Sequence, residues 1–102
     1  MNRENENRDY CKSIVDDMKS LYDKGNLTEY FNDFLDCEYR VDKSKGYLSA
    51  RVFVTLGGPN VWIDTDTETV ELRWGNDRAF WDIPSEISDY IDEIFQEIYD
   101  IT

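Results

Sequence analysis

YLSARVFVTLGGPNVWIDTDTETVELRW, residues 47–74, is the stretch on which the fold turns. Leu48, Ala50, Val52, Val54 and Leu56 fall on one side of its first segment; Tyr47, Ser49, Arg51, Phe53 and Thr55 fall on the other. A period of two belongs to a β-strand. Gly57-Gly58-Pro59-Asn60 breaks the chain, and residues 61–65 resume as a strand. Asp66-Thr67-Glu68 is a turn, and residues 69–74 set Val70, Leu72 and Trp74 against Glu71 and Arg73. Connections this short join antiparallel neighbours, because a parallel pair needs a crossover of a dozen residues or more.

Working outward, Cys37, Tyr39 and Val41 alternate with Glu38, Arg40 and Asp42. That predicts a strand with one wet face, closed by a hairpin at Lys43-Ser44-Lys45-Gly46, with Gly46 in the left-handed position. Gly75-Asn76-Asp77-Arg78 reads as a loop, and residues 79–83 as a short last strand. Before the strands, Tyr10, Cys11, Ile14, Val15, Met18, Leu21 and Tyr22 predict a helix from Asp9 that Gly25 ends. Asn26 is placed to cap a second, shorter helix along Leu27, Tyr30, Phe31, Phe34 and Leu35. The class is therefore α+β: two N-terminal helices, an antiparallel meander of four to five strands, and a C-terminal acidic helix packed on one face. Residues 1–8 are polar and expected to fray; residues 9–102 form a single domain.

That last helix, residues 84–100, places Ile87, Tyr90, Ile91, Ile94, Phe95, Ile98 and Tyr99 at helical spacing. Ser85 is the expected cap. Between them stand Glu86, Asp89, Asp92, Glu93, Glu97 and Asp100, with no Lys or Arg. At ~100° per residue, Glu86, Asp89, Glu93, Glu97 and Asp100 share an arc of roughly 80°. Like charges at i, i+4 destabilise a helix by roughly 0.2–0.5 kcal/mol per pair, and acids at the carboxyl end oppose the helix dipole. Interspersed lysines would relieve both effects, so their absence points to an anionic surface with a use.

The chain carries 23 acids against 11 bases, a formal net charge of −12, and residues 76–102 hold eight acids and one base. Such a domain repels nucleic acid and anionic membrane and attracts basic surfaces. It is expected to bind no nucleic acid directly, to enter no membrane and to need no cofactor. Polar residues 1–9 lack the pattern of a signal peptide, which implies a cytoplasmic protein. Cys11 and Cys37 occupy apolar positions and read as reduced core thiols. With no histidine in the chain, most acid–base chemistry at neutral pH and most zinc sites fall away.

Residues 64–68 resemble a calcium loop at first, but Thr69 and Gly75 stand where glycine and an acid are needed. Asp64 with Glu71 and Arg73 is a poor nuclease triad, because an arginine that stays protonated is a poor general base. No Lys-Ser/Thr follows Gly57-Gly58, so no phosphate loop forms there. No catalytic role is assigned. Asp64, Asp66 and Glu68 are a second acidic group beside the helix ridge. Successive ridge carboxylates stand ~6 Å apart along the axis, comparable with phosphates along a strand, over a span of ~21 Å. That spacing suits a decoy for a Lys/Arg groove built for DNA. An exposed sheet face with Tyr47, Phe53 and Trp62 adds a homodimer as a further reading.

Residues 56–65 (LGGPNVWIDT), 70–75 (VELRWG) and 84–87 (PSEI), followed by an acidic, isoleucine-rich helix, carry a resemblance. Over about residues 45–100 the chain resembles small acidic proteins of phages, plasmids and conjugative elements of Gram-positive bacteria. It is similar in kind to type II anti-CRISPR proteins. The resemblance implies a non-enzymatic inhibitor acting in the bacterial cytoplasm on a type II CRISPR nuclease with its guide RNA, at the basic cleft that reads the protospacer-adjacent motif. It carries over no individual contact residue. The alternatives are an immunity or antitoxin protein that caps a basic nuclease or other toxin, and an anti-restriction DNA mimic.

Overall fold

A computed structural model describes residues 3–55 and 58–101 of the chain. The order is α1 (Arg3–Asp23), α2 (Leu27–Tyr30), β1 (Asp36–Val41), β2 (Tyr47–Thr55), β3 (Asn60–Asp64), β4 (Thr69–Trp74), β5 (Asp77–Asp82) and α3 (Ser85–Asp100). The strands form one antiparallel sheet in sequence order, β1 to β5. The fold is α+β. Leu56 and Gly57, expected at the end of β2 and in its turn, lie outside the described residues, as do Met1 and Asn2.

All three helices pack on one face of the sheet. Cys11, Val15 and Met18 of α1, Leu27 of α2, and Ile87, Ile91 and Phe95 of α3 meet Ala50, Val52, Val61, Ile63, Val70, Leu72 and Ala79 in a single buried cluster. The strands alternate because each carries one apolar row for this cluster. Phe95 is the centre of the aromatic packing, with Phe31 and Phe34 edge-on at 5.3 and 5.2 Å between ring centroids.

Several sequence expectations change in detail. Helix α1 starts at Arg3, so residues 3–8 are helical where fraying was expected. Asn7 continues the buried face one turn before Cys11, and the Arg8 guanidinium lies 5.7 Å over the Trp81 ring on β5. At the other end Gly25, with φ of 75°, stops α1; the amides of Asn26 and Gly25 return to the carbonyls of Leu21 and Tyr22 at 2.8 and 3.0 Å. Helix α2 is a single turn, because the Leu35 amide already bonds the Phe53 carbonyl at 2.8 Å and draws the chain into the sheet. Leu35 is consequently exposed. Neither expected side-chain cap forms: carbonyls of Asn26 and Pro84 receive the first amides instead, and Ser85 sits inside α3.

The β4–β5 connection is tighter than a four-residue loop. Trp74 pairs with Asp77, leaving Gly75-Asn76 as the turn, with Gly75 at φ 62°. Between β1 and β2 a bulge at Arg40/Val41 shifts the register. Beyond it Tyr47 turns toward the helices, not outward: its hydroxyl donates to Asp92 at 2.7 Å, and its ring packs among Tyr39 and Tyr99. The Tyr99 hydroxyl donates to the Lys45 carbonyl at 2.7 Å. These contacts fasten the second half of α3 to the β1–β2 hairpin.

Candidate partner-binding surface

Helix α3 sorts its carboxylates by what lies beneath them. Asp92 is half-buried and occupied by Tyr47. Glu86, Asp89, Glu93, Glu97 and Asp100 are all exposed. Glu86 accepts a hydrogen bond from the Tyr22 hydroxyl at 2.8 Å, which ties α1 to the start of the ridge without neutralising it. Among the described residues none of these five forms an ion pair. Nor does a basic residue occupy the last turn of α3. The arc expected from helical geometry is therefore a continuous anionic strip about 21 Å long.

Sequence reasoning missed what borders that strip. Ile94 and Ile98 are only partly covered and Ile101 is 80% exposed. With Thr28, Tyr90, Glu93 and Glu97 they line a shallow groove of about 360 Å³. Helical spacing alone assigned Ile94 and Ile98 to the core. The short α2 leaves them open, and nothing in the local pattern marked where α2 would stop. Carboxylate heads beside aliphatic walls suit lysine and arginine, whose long stems are apolar and whose ends are charged.

The second acidic group behaves differently. Asp64 accepts amides of Asp66 and Thr67 at 2.9 and 3.3 Å, capping the β3–β4 turn, and pairs with Arg51 at 3.1 Å. Asp66 pairs with Arg40. Glu68 holds a left-handed backbone at φ 56°, and its Oε2 is buried without a hydrogen-bond partner. These three residues build a turn, and two of the three are matched within the molecule. They do not extend the α3 strip.

The outer face of the sheet holds a separate arrangement. Glu71, 4% exposed, accepts from Arg51 at 2.8 Å, from Arg73 at 2.8 Å and from Arg78 at 3.2 Å. Burial opposes its charge, but the bonds from Arg73 and Arg51, the Arg51 charge and the bond from Arg78 outweigh it and hold the carboxyl below its usual range. Trp62 stacks on Phe53, with centroids 5.1 Å apart, and is flanked by the Arg51 and Arg73 guanidinia at 4.9 and 5.7 Å. Arg78 lies 5.4 Å over Phe80.

Both thiols are free; burial pushes Cys11 and Cys37 up to about 11, well away from reactive thiolates. Among the described residues there is no group of three or more His, Cys, Asp or Glu that could hold a metal ion, and no helix is long and apolar enough to cross a membrane. The chain matches no protein-family model, no curated protein and no solved structure.

Proposed function

We propose that this chain is a non-enzymatic inhibitor that lays α3 into the basic DNA-binding cleft of a nuclease, first among them the RNA-guided nuclease of type II CRISPR systems. One observation carries the reading. Arginines of the sheet are set against Asp64, Asp66 and Glu71, while Glu86, Asp89, Glu93, Glu97 and Asp100 have no ion pair among the described residues. A cationic groove is the complement of such a strip. Opposite fields also speed the encounter and make it dependent on ionic strength. The neighbouring groove at Ile94, Ile98 and Ile101 adds apolar area that a phosphate backbone does not have. It lets a protein decoy hold lysine and arginine stems as well as their charges.

The test is a cleavage assay with the guide-loaded nuclease, titrating the protein against target DNA. Wild type is expected to inhibit, with potency falling as salt rises. The double variant Glu93→Lys/Glu97→Lys is expected to lose on the order of 100-fold or more in potency at an unchanged fold. Equal inhibition by that variant removes α3 as the contact. No binding to the nuclease, with or without guide RNA, removes the CRISPR reading. Rescue of cells from a co-expressed basic toxin would instead support the immunity reading, which uses the same strip.

A further inference from the structure

The sheet face opposite the helices is ordered, aromatic and uncovered among the described residues. Cross-strand register divides it into three rows. The middle row is Asp36, Phe53, Trp62, Glu71 and Phe80. On one side lie Glu38, Arg51, Asp64, Thr69 and Asp82, a row with an acidic excess. On the other lie Asn60, Arg73 and Arg78, a basic row. Within a chain of net charge −12, two exposed arginines side by side are a local reversal of sign.

We propose that this face is the interface of a two-fold dimer of the chain. An isologous contact needs a patch complementary to itself, and the three rows supply one. A two-fold axis along the middle row lays that row on its own copy, Trp62 against Trp62. It sets Asn60, Arg73 and Arg78 of each protomer over Asp64, Thr69 and Asp82 of the other. On β5 this brings Arg78 over the partner's Asp82, and the reverse. Trp62 and Phe53 provide the broad, rigid contact that anchors interfaces. A partner of uniform charge would meet one outer row of its own sign. In a second copy neither outer row faces its own kind, and Glu71 on the axis already accepts from three arginines. Among the described residues, Asp36 at the β1 end is the one free acid that meets its own copy.

Size sets the strength. Five strands at ~4.8 Å and about six residues at ~3.3 Å make a face of roughly 20 by 20 Å, on the order of 400 Å² in projection. Stable interfaces bury about 800 Å² per partner. The dimer is therefore weaker than a complex of standard interface size. Because α3 lies on the other side of the sheet, both acidic strips stay outward. The dimer does not depend on what α3 binds.

Sedimentation of the full chain from about 5 to about 500 µM tests this. The weight-average mass is expected to climb from one copy toward two. Arg78→Glu places acid over Asp82, and Asp82→Lys places base over Arg78, so each variant alone stays monomeric. An equimolar mixture of the two restores both ion pairs and dimerises. That rescue also shows that each variant is folded. Trp62→Ala, with the charges intact, weakens association at least tenfold. A wild type that stays monomeric at the highest concentration overturns the proposal. So does a dimer that persists in both single-charge variants, or a mixture that associates no better than its components.

Discussion

Asp42 organises the β1–β2 turn from one carboxylate, accepting the amides of Ser44 and Gly46 at 2.9 and 2.8 Å. The left-handed residue there is Lys45, at φ 66°, not Gly46. Glycine is required at 46 for room: a Cβ would stand 2.9 Å from the Asp42 carboxylate oxygen. Gly46→Ala should therefore cost about 1–2 kcal/mol, because the carboxylate must swing away from the bonds it accepts. Lys45→Gly should gain up to about 1 kcal/mol by relieving the left-handed backbone. Urea unfolding of the two variants distinguishes these opposite signs. At Glu71 the matter is charge. Glu71→Gln leaves three guanidinia around a buried neutral amide that can no longer accept at both positions, and should destabilise by about 2–3 kcal/mol at neutral pH. Its folded carboxyl sits below the ordinary value. The stability it contributes is thus complete above the unfolded value of about 4.3 and is lost as pH falls through the folded one. Urea midpoints from neutral to acid pH should converge for wild type and Glu71→Gln; a constant gap would mean the arginines do not hold Glu71 ionised.

Helix α3 is where stability and binding pull apart. Glu97→Lys puts a base four residues after Glu93 and near the negative end of the dipole. It should raise stability by about 0.5–1 kcal/mol while weakening the proposed partner contact, read as a higher Tm beside a lower potency. A matched control is Tyr47→Phe. It should cost about 1 kcal/mol by orphaning Asp92, with potency unchanged, because Asp92 faces the hairpin. The same helix marks what the sequence makes legible. Its apolar stripe, the three central strands and the meander are local signals: a period, a turn, a short connection. The acidic arc follows from helical geometry alone. Other features depend on tertiary contacts. Asn7 belongs to α1 because it reaches the core, and Arg8 because Trp81 is opposite. Helix α2 ends because Leu35 bonds Phe53, a partner distant in sequence. Tyr47 changes side because a bulge at Arg40/Val41 intervenes. No pattern within a ten-residue window contains these facts.

At the scale of the whole molecule, charge is sorted between two faces. Sequence alone gives the sum and its bias toward residues 76–102. It does not reveal that Arg51 and Arg40 take up Asp64 and Asp66, since those pairings arise from strand register and turn geometry. Helix α3, with six acids and no base, carries half of the net charge of −12, and the outer sheet face is locally mixed. A molecule of net charge −12 repels itself when compact, and salt screens that repulsion over about 10 Å at 0.1 M. Raising sodium chloride from about 20 to about 300 mM should therefore increase Tm. The same change should weaken the proposed inhibition, because the attraction between strip and groove is screened as well. Buried ion pairs such as Glu71 with Arg51 are screened less, so their loss should not offset the gain in Tm. Thermal melts and inhibition titrations across one salt series compare the two slopes directly. Opposite signs are the outcome expected of an anionic strip left unneutralised within the fold. A Tm that falls with salt would mean that attractions between exposed groups, not repulsion along α3, dominate the electrostatics of this chain.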